Sequence, residues 1–96
     1  MTEMTFSERY TAAAARAKAA REVYERETEI AIKARYNEIR AEDKAAGRDT
    51  SGKTVQTRRL HAWHDIMMYG RDPRIVEIIE EMREAEDAFR AIRNPS

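Results

Sequence analysis

The apolar positions of this chain fall into three helical patterns separated by two short polar breaks. They recur first at Phe6, Tyr10, Ala13, Ala17, Ala20 and Tyr24. These alternating steps of four and three align side chains along one face of an α-helix. A second stripe, Val23, Ile30, Ile32, Tyr36 and Ile39, begins where the first ends and is rotated about the axis. No Gly or Pro occurs from Met1 to Ala46; the only ones in the chain are Gly47, Gly52, Gly70, Pro73 and Pro95. The pattern predicts a long helix over about residues 7–46, a loop at 47–53, a second helix at 54–69, a turn at 70–72 and a third helix at 73–93. The expected fold is all-α, a single helical domain over residues 1–96. Its long N-terminal helix has two shorter helices packed back as a helical hairpin or bundle, completed by oligomerisation.

Helix-end chemistry agrees with these limits. Thr5 and Glu8 have capping-box spacing, with Ser7 as a rival cap, and Gly47 is placed as the residue just past the C-terminus. A break near residues 27–29 is an alternative, because small kinks leave no mark without Gly or Pro. Thr54 is positioned to cap the second helix, whose apolar face is read as Val55, Leu60, Trp63, Ile66 and Met67. In the third, Asp72 is the N-cap and Pro73 the first residue, where a missing N–H costs nothing. Ile75, Ile78, Met82, Ala85, Phe89 and Ile92 then form a regular knobs-into-holes seam, with Val76 and Ile79 widening it.

A helix over 7–46 is roughly 60 Å long at about 1.5 Å per residue, about twice the width of a compact domain this small. Helices two and three are expected to cover its C-terminal half, leaving the Ala-rich N-terminal half to a second copy or another protein. The interface expected on these grounds is Phe6, Tyr10, Ala13, Ala17, Ala20 and Tyr24, with Trp63 as a further aromatic anchor. A homodimer is the first expectation. The biochemical role that follows is a non-enzymatic protein–protein interaction module: an assembly subunit, an adaptor or an inhibitor.

Composition narrows the alternatives. Hydrophobic residues make up 42% of the chain, but many are Ala, so the core available to an isolated monomer is thin. Eighteen Lys plus Arg balance eighteen Asp plus Glu, which removes any global basic field. A local anion-facing patch is still suggested by Lys53, Arg58, Arg59, Arg71 and Arg74. This makes a helical nucleic-acid-binding regulator the first alternative. It is not favoured, because Glu77, Glu80, Glu81 and Glu84 on helix three would meet phosphate with like charge.

The second alternative is a metal-binding protein using His61, His64 and Asp65, which share a side at helical spacing. No His-Glu motif or paired Glu-x-x-His pattern completes that set, and no cofactor is expected. Gly47-x-x-x-x-Gly52-Lys53-Thr54 has the spacing of a phosphate-binding loop, yet no β-rich run precedes it, so it is read as a C-cap and interhelical loop. The absence of Cys excludes disulfides and thiolate chemistry. No apolar run reaches the about 18 residues a membrane span needs, and no leader pattern is visible, so the expected location is cytoplasmic.

Overall fold

The computed structural model describes residues 4–47 and 52–94, with side chains in the second segment described from Gln56 onward. It contains three α-helices, α1 (Phe6–Ala45), α2 (Gly52–Met67) and α3 (Pro73–Arg93), and no strand among the described residues. The long first helix packs against the other two. Among the described residues, no helix is long and apolar enough to cross a membrane.

α1 is a single helix of 40 residues and passes through positions 27–29 without a break. Its first turn is closed by Thr5: the Glu8 N–H donates to Thr5 Oγ1 at 3.1 Å, and the Thr5 hydroxyl lies 3.2 Å from Glu8 Oε1. That settles the cap in favour of Thr5, with Ser7 inside the helix. At the other end Gly47 takes φ 71°, and its N–H donates to the Lys44 carbonyl at 3.1 Å. This left-handed residue absorbs carbonyls that the helix leaves open.

α2 starts at Gly52, so Thr54 lies inside the helix instead of capping it. It ends where the Met68 and Tyr69 N–H groups both donate to the His64 carbonyl, at 2.9 and 3.0 Å. Gly70 follows at φ 60°, and a Cβ there would sit 3.3 Å from Val76 Cγ2. The positive φ favours glycine here, and a side chain would in addition press on Val76. Asp72 Oδ1 then accepts from the Arg74 N–H at 3.0 Å and Pro73 opens α3, as the sequence predicts.

Contacts gather into two compact units. The first combines α1 up to Glu25 with α3 from Glu77; the second holds the rest of α1, α2 and the turn into α3 up to Val76. In the first unit the helices run antiparallel. Tyr10 stacks near Phe89 with ring centroids 5.2 Å apart, while Ala20 and Val23 share a recess with Ile78. Met82 and Ala85 are buried, and Ala13, Ala17, Ala20 and Tyr24 are half-buried. Arg16 bonds Glu81 at 2.9 Å and Arg21 bonds Glu86 at 3.0 Å across the pair.

The expectation that α3 folds onto the C-terminal half of α1 is thereby corrected. From Ile78 onward its seam instead shares a unit with the Ala-rich N-terminal half of α1. Less of the Phe6–Tyr24 seam is left for a partner than its spacing suggested.

Candidate functional site: an aromatic groove between α1 and α2

In the second unit α1 presents Thr28, Ala31, Arg35, Ile39 and Asp43 inward, at intervals of three, four, four and four. α2 answers with Arg58, Ala62 and Ile66. Ala31 and Ala62 are small and buried, and charged side chains are drawn into the same contact. Arg35 Nε donates to Asp65 Oδ2 at 2.8 Å, and its Nη1 donates to Glu38 at 3.0 Å. Arg58, only 3% exposed, donates through Nε to Asp43 Oδ2. The partners 43 with 58 and 35 with 65 set an antiparallel register. Removing such groups from water costs several kcal/mol per ion unless each is matched, so the pairs fix which residues face each other.

Protonation follows from this geometry. The hydrogen bond from Arg35 holds the Asp65 carboxyl below its ordinary value; the charges of His61, Arg35 and Arg71 help, and partial burial opposes. The same hydrogen bond raises Arg35 above its ordinary value. Asp65 is thus a fixed anion, unlike the raised carboxyls that serve as general acids.

With Arg58, Ala62 and Ile66 facing inward, Leu60 and Trp63 turn outward, and Met67 is half-buried. Leu60 is 57% exposed and Trp63 41%. The apolar face read over Val55, Leu60, Trp63, Ile66 and Met67 is thereby divided, Ile66 buried and Leu60 and Trp63 exposed, while the side chain of Val55 lies outside the described residues. α2 carries two overlapping apolar stripes, and the one containing small Ala62 packs. Beside Trp63 lies an open groove of about 570 Å³, lined by Thr28, Glu29, Ile32, Lys33, Tyr36, Asn37, Arg59 and Trp63. The Arg59 guanidinium sits over the Tyr36 ring, 5.7 Å from its centre, a cation–π contact that fixes both side chains.

The other residues singled out from sequence are dispersed. Phe6 and Tyr10 remain exposed near the start of α1, while Trp63 belongs to the groove of the other unit. The side chain of Lys53 lies outside the described residues. Arg58, expected in an anion-facing patch, is buried against Asp43 instead, because its position on α2 faces α1. Arg71 approaches Glu38 at 3.9 Å, and Arg74 bonds Glu27 at 3.0 Å. Among the described side chains of the set, only Arg59 lines the groove.

Of the proposed metal ligands, His61 Nε2 lies 3.5 Å from Asp65 Oδ2, but that oxygen is already held by Arg35. His64 turns to Trp63, with ring centroids 5.3 Å apart, and to Tyr69 at 6.3 Å. No group of three or more His, Cys, Asp or Glu able to hold an ion occurs among the described residues.

Sequence reasoning missed Arg35, Asp43 and Ile32 with Tyr36 as a wall of the groove. A signal existed for Arg35: it occupies the seam position between Ala31 and Ile39, four residues from each. Comparison with known families, with curated proteins and with solved structures finds no match to this chain.

Proposed function

We propose that this chain is a non-enzymatic protein–protein interaction module whose docking face is the α1–α2 groove and the adjoining outer stripe of α2. The carrying observation is Trp63, 41% exposed beside Tyr36 and Ile32 while Ala62 and Ile66 of the same helix are buried. Tryptophan with an apolar body and one polar edge is the side chain most enriched at interface hot spots. Leu60, Met68 and Tyr69 extend the exposed apolar surface on the same helix and the turn that follows it. Exposed apolar side chains collected on one element mark an interaction surface more often than a solvated one.

The module acts as an assembly subunit, an adaptor or an inhibitor, with a second copy of the chain or another protein as its partner. A second copy would also cover Phe6 and Tyr10, the exposed start of the Ala-lined helix. The test is a photo-crosslinking residue placed at position 60 of the full chain in its native cell, with the solution mass of the untagged protein measured over a concentration series. A crosslink to any protein, itself included, is expected. A strict monomer with no crosslinked protein would sink the reading.

A further inference from the structure

The charges around the groove say what kind of partner it takes. In the second unit, Glu27, Glu38, Glu42, Asp43 and Asp65 are each within ion-pair reach of an arginine. Four cations of that unit, Lys33, Arg40, Lys44 and Arg59, have no ion pair among the described residues. Their placement is ordered. Lys33, Arg40 and Lys44 are seven and four residues apart and so share one side of α1. Lys33 and Arg59 line the groove itself. Among the described residues, the only carboxylate lining it is Glu29. Apart from Glu29, the carboxylates named above are paired within the unit, while two of the unpaired cations, Lys33 and Arg59, lie on the groove and Arg40 and Lys44 follow Lys33 along the same side of α1.

We propose that the groove receives an acidic amphipathic helix, a segment of a partner protein with a short row of large apolar side chains flanked by Asp or Glu. The apolar row seats against Ile32, Tyr36 and Trp63, and the flanking carboxylates meet Lys33 and Arg59, with Arg40 beyond them. This is the helix-in-groove mode of recognition, with the charge pattern selecting the partner and setting its orientation. The proposal rests on the interaction-module reading and names the partner's chemistry.

Two other occupants fit less well. A single-stranded nucleic acid would need open ring faces for its bases, but the Arg59 guanidinium already covers one face of Tyr36. A second copy would bring the carboxylate row of α3, Glu77, Glu80 and Glu84, all exposed, but the row's own face offers no large apolar side chain to fill the groove.

The test is a selection on the full-length protein with a display library of helical peptides. The apolar row is fixed and the flanking positions are randomised over acidic, neutral and basic residues; Trp63→Ala serves as counter-target. Trp63 is the only tryptophan in the chain, so its emission reports occupancy of the groove in follow-up titrations. The enriched peptides are expected to carry acidic flanks. Lys33→Glu combined with Arg59→Glu should weaken the best of them about tenfold without changing the helicity of the protein.

Enriched peptides that depend on Trp63 but carry neutral or basic flanks would overturn the acidic-helix proposal and leave the interaction reading standing. Self-association that Trp63→Ala abolishes would do the same, whereas tighter quenching of Trp63 by a single-stranded oligonucleotide at equal ionic strength would overturn both readings. A selection yielding no Trp63-dependent peptide would overturn both readings.

Discussion

The two units cover one helix by opposite means. Along the first part of α1 the covering helix is received by Ala13, Ala17 and Ala20, with Met82 and Ala85 buried and the ion pairs left at the surface. Along the second part the charges are inside: Arg35 with Asp65 and Arg58 with Asp43, beside Ala31, Ala62 and Ile66. Close backbone approach through small residues is tolerant of exact partners, whereas a buried ion pair penalises every register but one. The second unit also leaves its aromatic residues outside, because the inner face of α2 is taken by Arg58, Ala62 and Ile66. Specific pairing inside and an apolar groove outside thus have one origin.

The difference is broken most severely by Asp43→Ala. It removes the carboxylate facing a guanidinium that is 3% exposed, and the expected loss is about 3–5 kcal/mol of unfolding free energy by urea denaturation. Hydrogen exchange should show the loss of protection concentrated in residues 26–76. Met82→Ala is the counterpart in the first unit. It truncates a buried side chain and is expected to cost about 2–4 kcal/mol, with lost protection concentrated around residues 77–93.

Acid separates the units more gently. Asp65 has a folded-state value below its ordinary 3.8, so it binds its proton more readily when unfolded. The stability it contributes is complete above about pH 4 and is lost as pH falls through the lowered value. An acid titration followed by Trp63 emission should therefore show a transition below pH 4. Asp65→Asn should remove that contribution and cost about 1–3 kcal/mol at neutral pH, since Arg35 loses its shortest hydrogen bond. The smallest effect is Arg16→Ala. That pair is 46% and 53% exposed, and about 0.2–1 kcal/mol, diminishing with added salt, is expected.

What was legible from sequence is what depends on neighbours along the chain. Thr5 with Glu8, Gly47, and Asp72 with Pro73 act within one helical turn, so their roles follow from residue type and spacing alone. The α3 seam was legible too, since Ile75, Met82 and Ala85 are buried where the three-four pattern placed them. The inner face of α2 was not. Leu60 and Trp63 outrank Ala62 in hydrophobicity, and the choice between the two stripes is made by Asp43 and Arg35, which lie far away in sequence. The aromatic groove was hidden for the same reason. Its walls come from residues 28–37 and 59–63, and only the antiparallel register brings them together.

The first unit joins the beginning of the described chain to its end, and this orders events during synthesis. Residues 26–76 are complete before most of α3 has been made, so the second unit has all its parts while the first still lacks one of its two helices. At about 5–20 residues per second, the stretch up to Glu25 waits roughly 3 to 14 s for residue 93. A Leu-rich face left bare for that time would invite misassembly on a crowded ribosome. A face built on Ala13, Ala17 and Ala20 is only weakly sticky while it waits, yet it still accepts α3 once that helix emerges.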